Sequence, residues 1–236
     1  QEYLLIKNSY DKSIDQYVLI YYLANDLLDN ALPHPLQAEP AKPFYSLFEG
    51  SLQLENNPVP KTRKTAILKQ LSIKDIILGK YADEVSPKGF LQKISKNSEI
   101  LKWLLPDSPN NDEFKIFSIL DKTLAYQIAL QAALFEEIKK ETEIQRAQLT
   151  IVLMPGQSYV DRPASYSYYF QEYTRTSILK ITEDLNIRTI DMASTIRQQK
   201  QSSTSTNLLY HPNEGHLNVT GNDIVSKILI KALHQQ

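Results

Sequence analysis

Apolar positions fall along this chain in two alternating rhythms. Gln16–Leu23 (QYVLIYYL) is a continuous β-branched and aromatic run, Gln148–Met154 (QLTIVLM) is a second, and Ile187–Met192 (IRTIDM) is a shorter third. Runs of this length with little polar alternation predict strands covered on both faces, as in a parallel sheet. Between them the period changes. From Phe114 to Ala147 the residues Phe117, Leu120, Leu124, Ile128, Ala132, Phe135 and Ile138 step by threes and fours, which predicts one long amphipathic helix. After Pro155, Gly156 and a loop containing Ser158 and Pro163, a Tyr-rich helix is expected to reach about Asn186. Tyr3, Leu4, Leu5 and Ile6 belong to a short leading helix, and a final apolar helix closes the chain near His234.

Strand, helix and strand in alternation imply an α/β fold with a parallel sheet and right-handed crossovers, whose sites lie at the carboxyl ends of the strands. Two stretches interrupt the pattern. Prolines at 33, 35, 40, 43, 58 and 60 predict an extended excursion with few regular elements. Ile67–Tyr81 and Gly89–Leu105, the latter with Trp103, read as short amphipathic helices ahead of the turn-rich Pro106–Asp112. Residues 31–113 thus form a cap-like excursion inside a single domain spanning 1–236. Gln198–Ser205 reads as a polar connector.

Composition removes several classes of function. With 236 residues, 42% of them hydrophobic, the chain can build a substantial core. A formal net charge of -1 gives no field that would draw it to nucleic acid or an anionic membrane. The absence of cysteine excludes a thiolate nucleophile and a Cys-based zinc site, and the four histidines form no His-Glu-X-X-His pattern, so no metal or cofactor is implied. No apolar run approaches the ~20 residues that span a bilayer. Localisation and oligomeric state stay open.

The candidate chemistry gathers in Leu208–Asp223 (LLYHPNEGHLNVTGND), which holds His211 and His216 ahead of the closing helix. Thr220 followed three residues later by Asp223 predicts the capped start of that helix, so His216 lies on a loop anchored by a rigid element. Glu214, two residues before His216, is placed to orient the imidazole, and His211 is expected at the mouth of the pocket. Asn25 ends the first buried strand and is a candidate to meet this loop across the sheet edge. The tyrosines between 159 and 173 read either as ordinary packing or as amphipathic lining for an acyl or carbohydrate group.

YYLANDLLDN at 21–30 resembles the Gly-X-Asn-Asp block of the SGNH, or GDSL-type, esterase and acylhydrolase superfamily, and LYHPNEGHLNVTGNDIV at 209–225 resembles its closing His block. Segments 42–60 and 149–160 are similar to the middle of larger bacterial members that carry an insert. The resemblance implies a flavodoxin-like three-layer α/β/α sandwich and Ser-His-carboxylate chemistry on an ester of a small molecule or carbohydrate. It implies Asn25 as an oxyanion donor, His216 as general base and acid, and Glu214 as the carboxylate partner.

This sequence departs from the family pattern in three places. Glu214 stands where Asp is usual, Ala24 replaces the Gly of the Asn block, and the Gly-Asp-Ser strand and the following Gly block do not occur ahead of Gln1. About 60 residues, roughly two strand-and-crossover units, are therefore expected before Gln1, and with them the nucleophile and the first two strands. Gly156-Gln157-Ser158 imitates Gly-Asp-Ser but lacks the Gly-X-Ser-X-Gly elbow. The alternatives are an O-acyltransferase acting on a polysaccharide and a noncatalytic α/β binding module.

Overall fold

The computed structural model describes residues 1–9, 11, 13–35, 41–59, 113–163, 165–202, 209–211 and 215–234. Its centre is a three-stranded parallel sheet in the order β1 (Gln16–Tyr22), β4 (Gln148–Met154), β5 (Arg188–Ile190). β1 and β4 run in register from Gln16 opposite Gln148 to Tyr22 opposite Met154. β4 is central, and its residues from Leu149 onward are all buried, which explains why its sequence shows no polar alternation. Ile151, Val152 and Leu153 are fully enclosed, and each such side chain contributes ~1.5–3 kcal/mol relative to exposure. β1 is an edge strand. Tyr21 meets Phe135 edge-on at 5.8 Å, whereas Val18, Ile20 and Tyr22 are 41%, 44% and 47% exposed.

The crossover from β1 to β4 contains a hairpin and then a long helix. β2 (Phe44–Phe48) pairs antiparallel with β3 (Ser51–Glu55), where an excursion with few regular elements is expected from the prolines. The intervening Glu49 and Gly50 both have positive φ, 48° and 78°, the backbone of a tight two-residue hairpin turn. Pro43 and Pro58 flank the hairpin without interrupting its ladder. The Leu47 N–H donates to the Tyr126 hydroxyl at 3.0 Å, which anchors the hairpin on α3 (Glu113–Ile144). α3 buries Leu120, Leu124, Phe135 and Ile138 as its periodicity requires, with Phe117, Ile128 and Ala132 partly buried beside them. The helices expected over 67–81 and 89–105, with Trp103, and the turn over 106–112 lie outside the described residues.

The remaining helices cover and close the sheet. α1 (Glu2–Asn8) and α5 (Tyr166–Asp184) pack on α3. Ser165 caps α5 by accepting the Tyr168 N–H at 3.1 Å. Two connectors read from sequence as loops are helical: Ser158 lies in the short α4 (Gln157–Asp161), and Gln198–Ser202 belong to α6 (Met192–Ser202). α6 forms despite its polarity because Met192, Ala193 and Ile196 bury one face, and Asp191 caps it by accepting the Ser194 N–H at 3.1 Å. α7 (Val219–His234) begins earlier than the Thr220 signature implies. Its cap is Asn218, whose Oδ1 accepts the Gly221 N–H at 2.9 Å. Thr220 and Asp223 fall inside the helix, and Asp223 pairs instead with Lys227 at 2.6 Å.

Candidate functional site

The carboxyl end of β1 turns through Ala24 and Asn25 into the four-residue helix α2 (Asp26–Asp29). Asn25 is the N-cap of this turn, and its backbone carbonyl accepts the N–H groups of Leu28 and Asp29 at 3.0 and 2.8 Å. Its side-chain Nδ2 donates to Asp29 Oδ2 at 2.8 Å, which orients the amide and leaves its second N–H for another acceptor. Lys42, buried at the base of the excursion, donates through Nζ to the Asp29 carbonyl. Burial lowers the Lys42 pKa, while Asp29, Glu2 and Asp26 raise it. Thus the excursion pins the turn that carries Asn25.

His216 reaches the same sheet edge from the other end of the chain. Tyr210 and Leu217 form an antiparallel bridge, the His211 N–H donates to the His216 carbonyl at 2.8 Å, and the Asn218 N–H donates to the Leu209 carbonyl at 2.9 Å. Gly221 is required here: a Cβ at this position would come within 2.2 Å of the Leu209 carbonyl oxygen. Tyr210 fixes the loop from below by donating its hydroxyl to the Pro155 carbonyl at 3.0 Å. His216 is exposed, and among the described residues no carboxylate is bonded to its ring. Glu214 lies outside the described residues.

A cleft of about 880 Å³ opens between these two loops and is lined by both Asn25 and His216. Its other walls are the ends of β1 and β4, with Tyr22, Ala24, Met154 and Pro155 to Ser158, together with Arg162, Tyr210, Gly215, Leu217 and Asn222. Gly156 and Ala24 meet on this floor, where a Cβ on Gly156 would lie 3.0 Å from the Ala24 Cβ and 3.2 Å from Gln171 Oε1. Alanine at 24 is therefore accommodated by glycine across from it. His211 is exposed on the bridge and does not line the cleft, in contrast to its expected place at the mouth.

Ser158 is the serine among the described cleft residues, but its hydroxyl is already engaged. Its Oγ lies 2.6 Å from Ser167 Oγ and accepts from Gln171 Nε2 at 2.8 Å, while Gln171 Oε1 accepts the Gly156 N–H at 2.7 Å. This network uses Ser158 to fix the turn after β4 rather than to present it to an imidazole. The tyrosines between 159 and 173 act in packing. Tyr159 stacks on Tyr168 at 5.3 Å and donates to Glu172 at 2.6 Å, Tyr173 donates to Asp121 at 2.9 Å, and none of them lines the cleft. Burial, followed by the bond to Glu172, raises the Tyr159 pKa.

Arg162, Gln157 and Asn222 were not singled out in the sequence, although the first two follow a buried strand where a parallel sheet places its site. An imidazole, an amide donor and an open cleft can together serve acyl chemistry once an attacking group enters. Comparison of the chain with protein-family models, with characterised proteins and with solved structures finds no match.

Proposed function

We propose that this protein is an SGNH-type serine esterase or acylhydrolase built on a flavodoxin-like frame. The observation that carries the reading is the convergence of Asn25 and His216, from opposite ends of the chain, on one cleft at the carboxyl edge of a parallel sheet. In this reading Asn25 offers its free amide N–H to the oxyanion as negative charge develops on the carbonyl oxygen. His216 takes the proton of the attacking hydroxyl and returns it to the leaving alcohol, with Glu214 as its carboxylate partner. Ser158 is not given the attacking role, because its hydroxyl is tied to Ser167 and Gln171. Transfer of the acyl group to a sugar hydroxyl instead of water uses the same groups.

The test is hydrolysis of a short-chain aryl ester by the native protein, with fluorophosphonate labelling to locate the nucleophile. His216→Ala is expected to abolish turnover, and Asn25→Ala to lower kcat by ~10²-fold, the usual loss of one oxyanion donor. Undiminished rates in His216→Ala would remove the catalytic reading, and stoichiometric labelling of Ser158 would make that residue the nucleophile. A second reading, a noncatalytic binding module, is favoured by one feature: no described carboxylate is bonded to the His216 ring. Absence of both turnover and labelling in the native protein would select it.

A further inference from the structure

The cleft has a charge asymmetry that the acyl chemistry does not use. Among its described lining residues Arg162 is the one permanently charged side chain, and no Asp or Glu is present. Arg162 ends α4, with its backbone N–H donating to the Ser158 carbonyl at 3.1 Å and its side chain exposed. Among the described residues its guanidinium has no hydrogen-bond or ion-pair partner.

The neighbouring cations differ in this respect. Arg175 bonds Glu172 and Asp191, both at 2.6 Å, Arg197 lies over the Tyr168 ring at 4.6 Å and bonds its hydroxyl, and Lys200 pairs with Asp161. Asp161 is the acid adjacent to Arg162 in the chain, yet both its oxygens are occupied, one by Lys200 and the other by the Gln157 amide at 3.3 Å. These networks therefore satisfy Glu172, Asp191 and Asp161 without Arg162. A guanidinium whose described neighbours in the cleft include no carboxylate is a planar two-pronged donor matched to one.

We propose that Arg162 is the specificity-determining residue of this cleft, and that its substrate is an ester carrying a carboxylate near the scissile bond. The inference rests on the reading of the cleft as an ester site. It narrows the substrate class to acidic esters, such as the ester of a carboxylated alcohol or sugar, and disfavours neutral acyl chains. A neutral ester leaves the Arg162 fork to water, whereas an acidic one gains charge-assisted bonds that also set its orientation over Asn25 and His216.

Two non-hydrolysable amides, 4-acetamidobenzoate and 4-acetamidobenzamide, separate recognition from turnover because they differ in the carboxylate and do not react. Titrated into the native protein and followed by the backbone resonances of Asn25 and His216, the benzoate is expected to bind roughly tenfold or more tightly than the benzamide. Arg162→Gln should erase that difference, Arg162→Lys should restore part of it, and added salt should weaken the benzoate alone. Arg162 is exposed, so an unchanged melting temperature checks that the variants fold. Equal affinity of the two amides, or discrimination that survives Arg162→Gln, would overturn the proposal. Turnover of the corresponding 4-acetoxybenzoate tests the hydrolase reading separately. Discrimination without turnover would remove the esterase and leave an Arg162-dependent carboxylate site.

Discussion

Asp26 sits next to the candidate oxyanion residue and has a strongly raised pKa. Its Oδ2 accepts the Tyr22 N–H at 2.7 Å. Burial is the main cause that pushes its pKa from 3.8 up to about 7, with the Tyr22 bond opposing and Glu2 and Asp29 adding repulsion. The folded protein therefore holds this proton more tightly than the unfolded chain does. The stability that Asp26 contributes is complete below about pH 4 and is lost as pH rises through about 7. Asp26→Asn keeps an acceptor for the Tyr22 N–H and removes the charge, so its melting temperature should exceed wild type at pH 8 and match it at pH 4. Equal shifts at both values in calorimetric melts would show that Asp26 acts through packing. At this scale the sequence marks Asn25 and His216 by their neighbours, but the proton on Asp26 depends first on its burial and then on Glu2, Asp29 and Lys42 meeting around it, which no spacing reveals.

The start of α7 decides where His216 stands. Asn218 supplies two links, with its side chain capping Gly221 and its N–H bonding the Leu209 carbonyl, and Gly221 lets the helix approach that same carbonyl. Asn218→Ala should cost ~1 kcal/mol in denaturant unfolding, the usual loss of a cap. Gly221→Ala should cost more, and should also reduce aryl-ester turnover beyond what the unfolded fraction explains, because the bridge holding His216 has to move. A Gly221→Ala protein with wild-type stability would show that the approach is relaxed in solution. The strands and the long helix were legible because β4 and α3 bury the positions their periods mark. The β2–β3 hairpin was obscured by prolines that sit just outside it, although the Glu49-Gly50 turn between alternating residues was a readable signal. α6 was obscured because Met192, Ala193 and Ile196 supply its buried face while the rest of its surface is polar.

At the scale of the molecule, the alternation of buried runs was enough to predict that the chain's two ends meet at one sheet edge, because a parallel sheet brings successive strand ends together. What it left unread is the exposure of one face of β1. Its sequence is as apolar as that of β4, yet one face of β1 stays open at Val18, Ile20 and Tyr22. The outer edge is also unpaired among the described residues. Asp15, through its carbonyl, and Leu23, through its N–H, bond β4, so residues 16, 18, 20 and 22 direct their backbone groups away from it. Tyr22 alone of these has its N–H satisfied by a described side chain, that of Asp26. A strand with an open apolar face and a free edge templates pairing with another chain. The chain should therefore self-associate with rising concentration in sedimentation velocity. Ile20→Lys, which places a charge at the middle of that edge, should hold the chain monomeric. Val219→Lys, at a residue 84% exposed on α7, should leave association unchanged. A chain that sediments as a monomer across the whole concentration range, or one that Val219→Lys disperses as well as Ile20→Lys, would show that the β1 edge is not the surface that pairs.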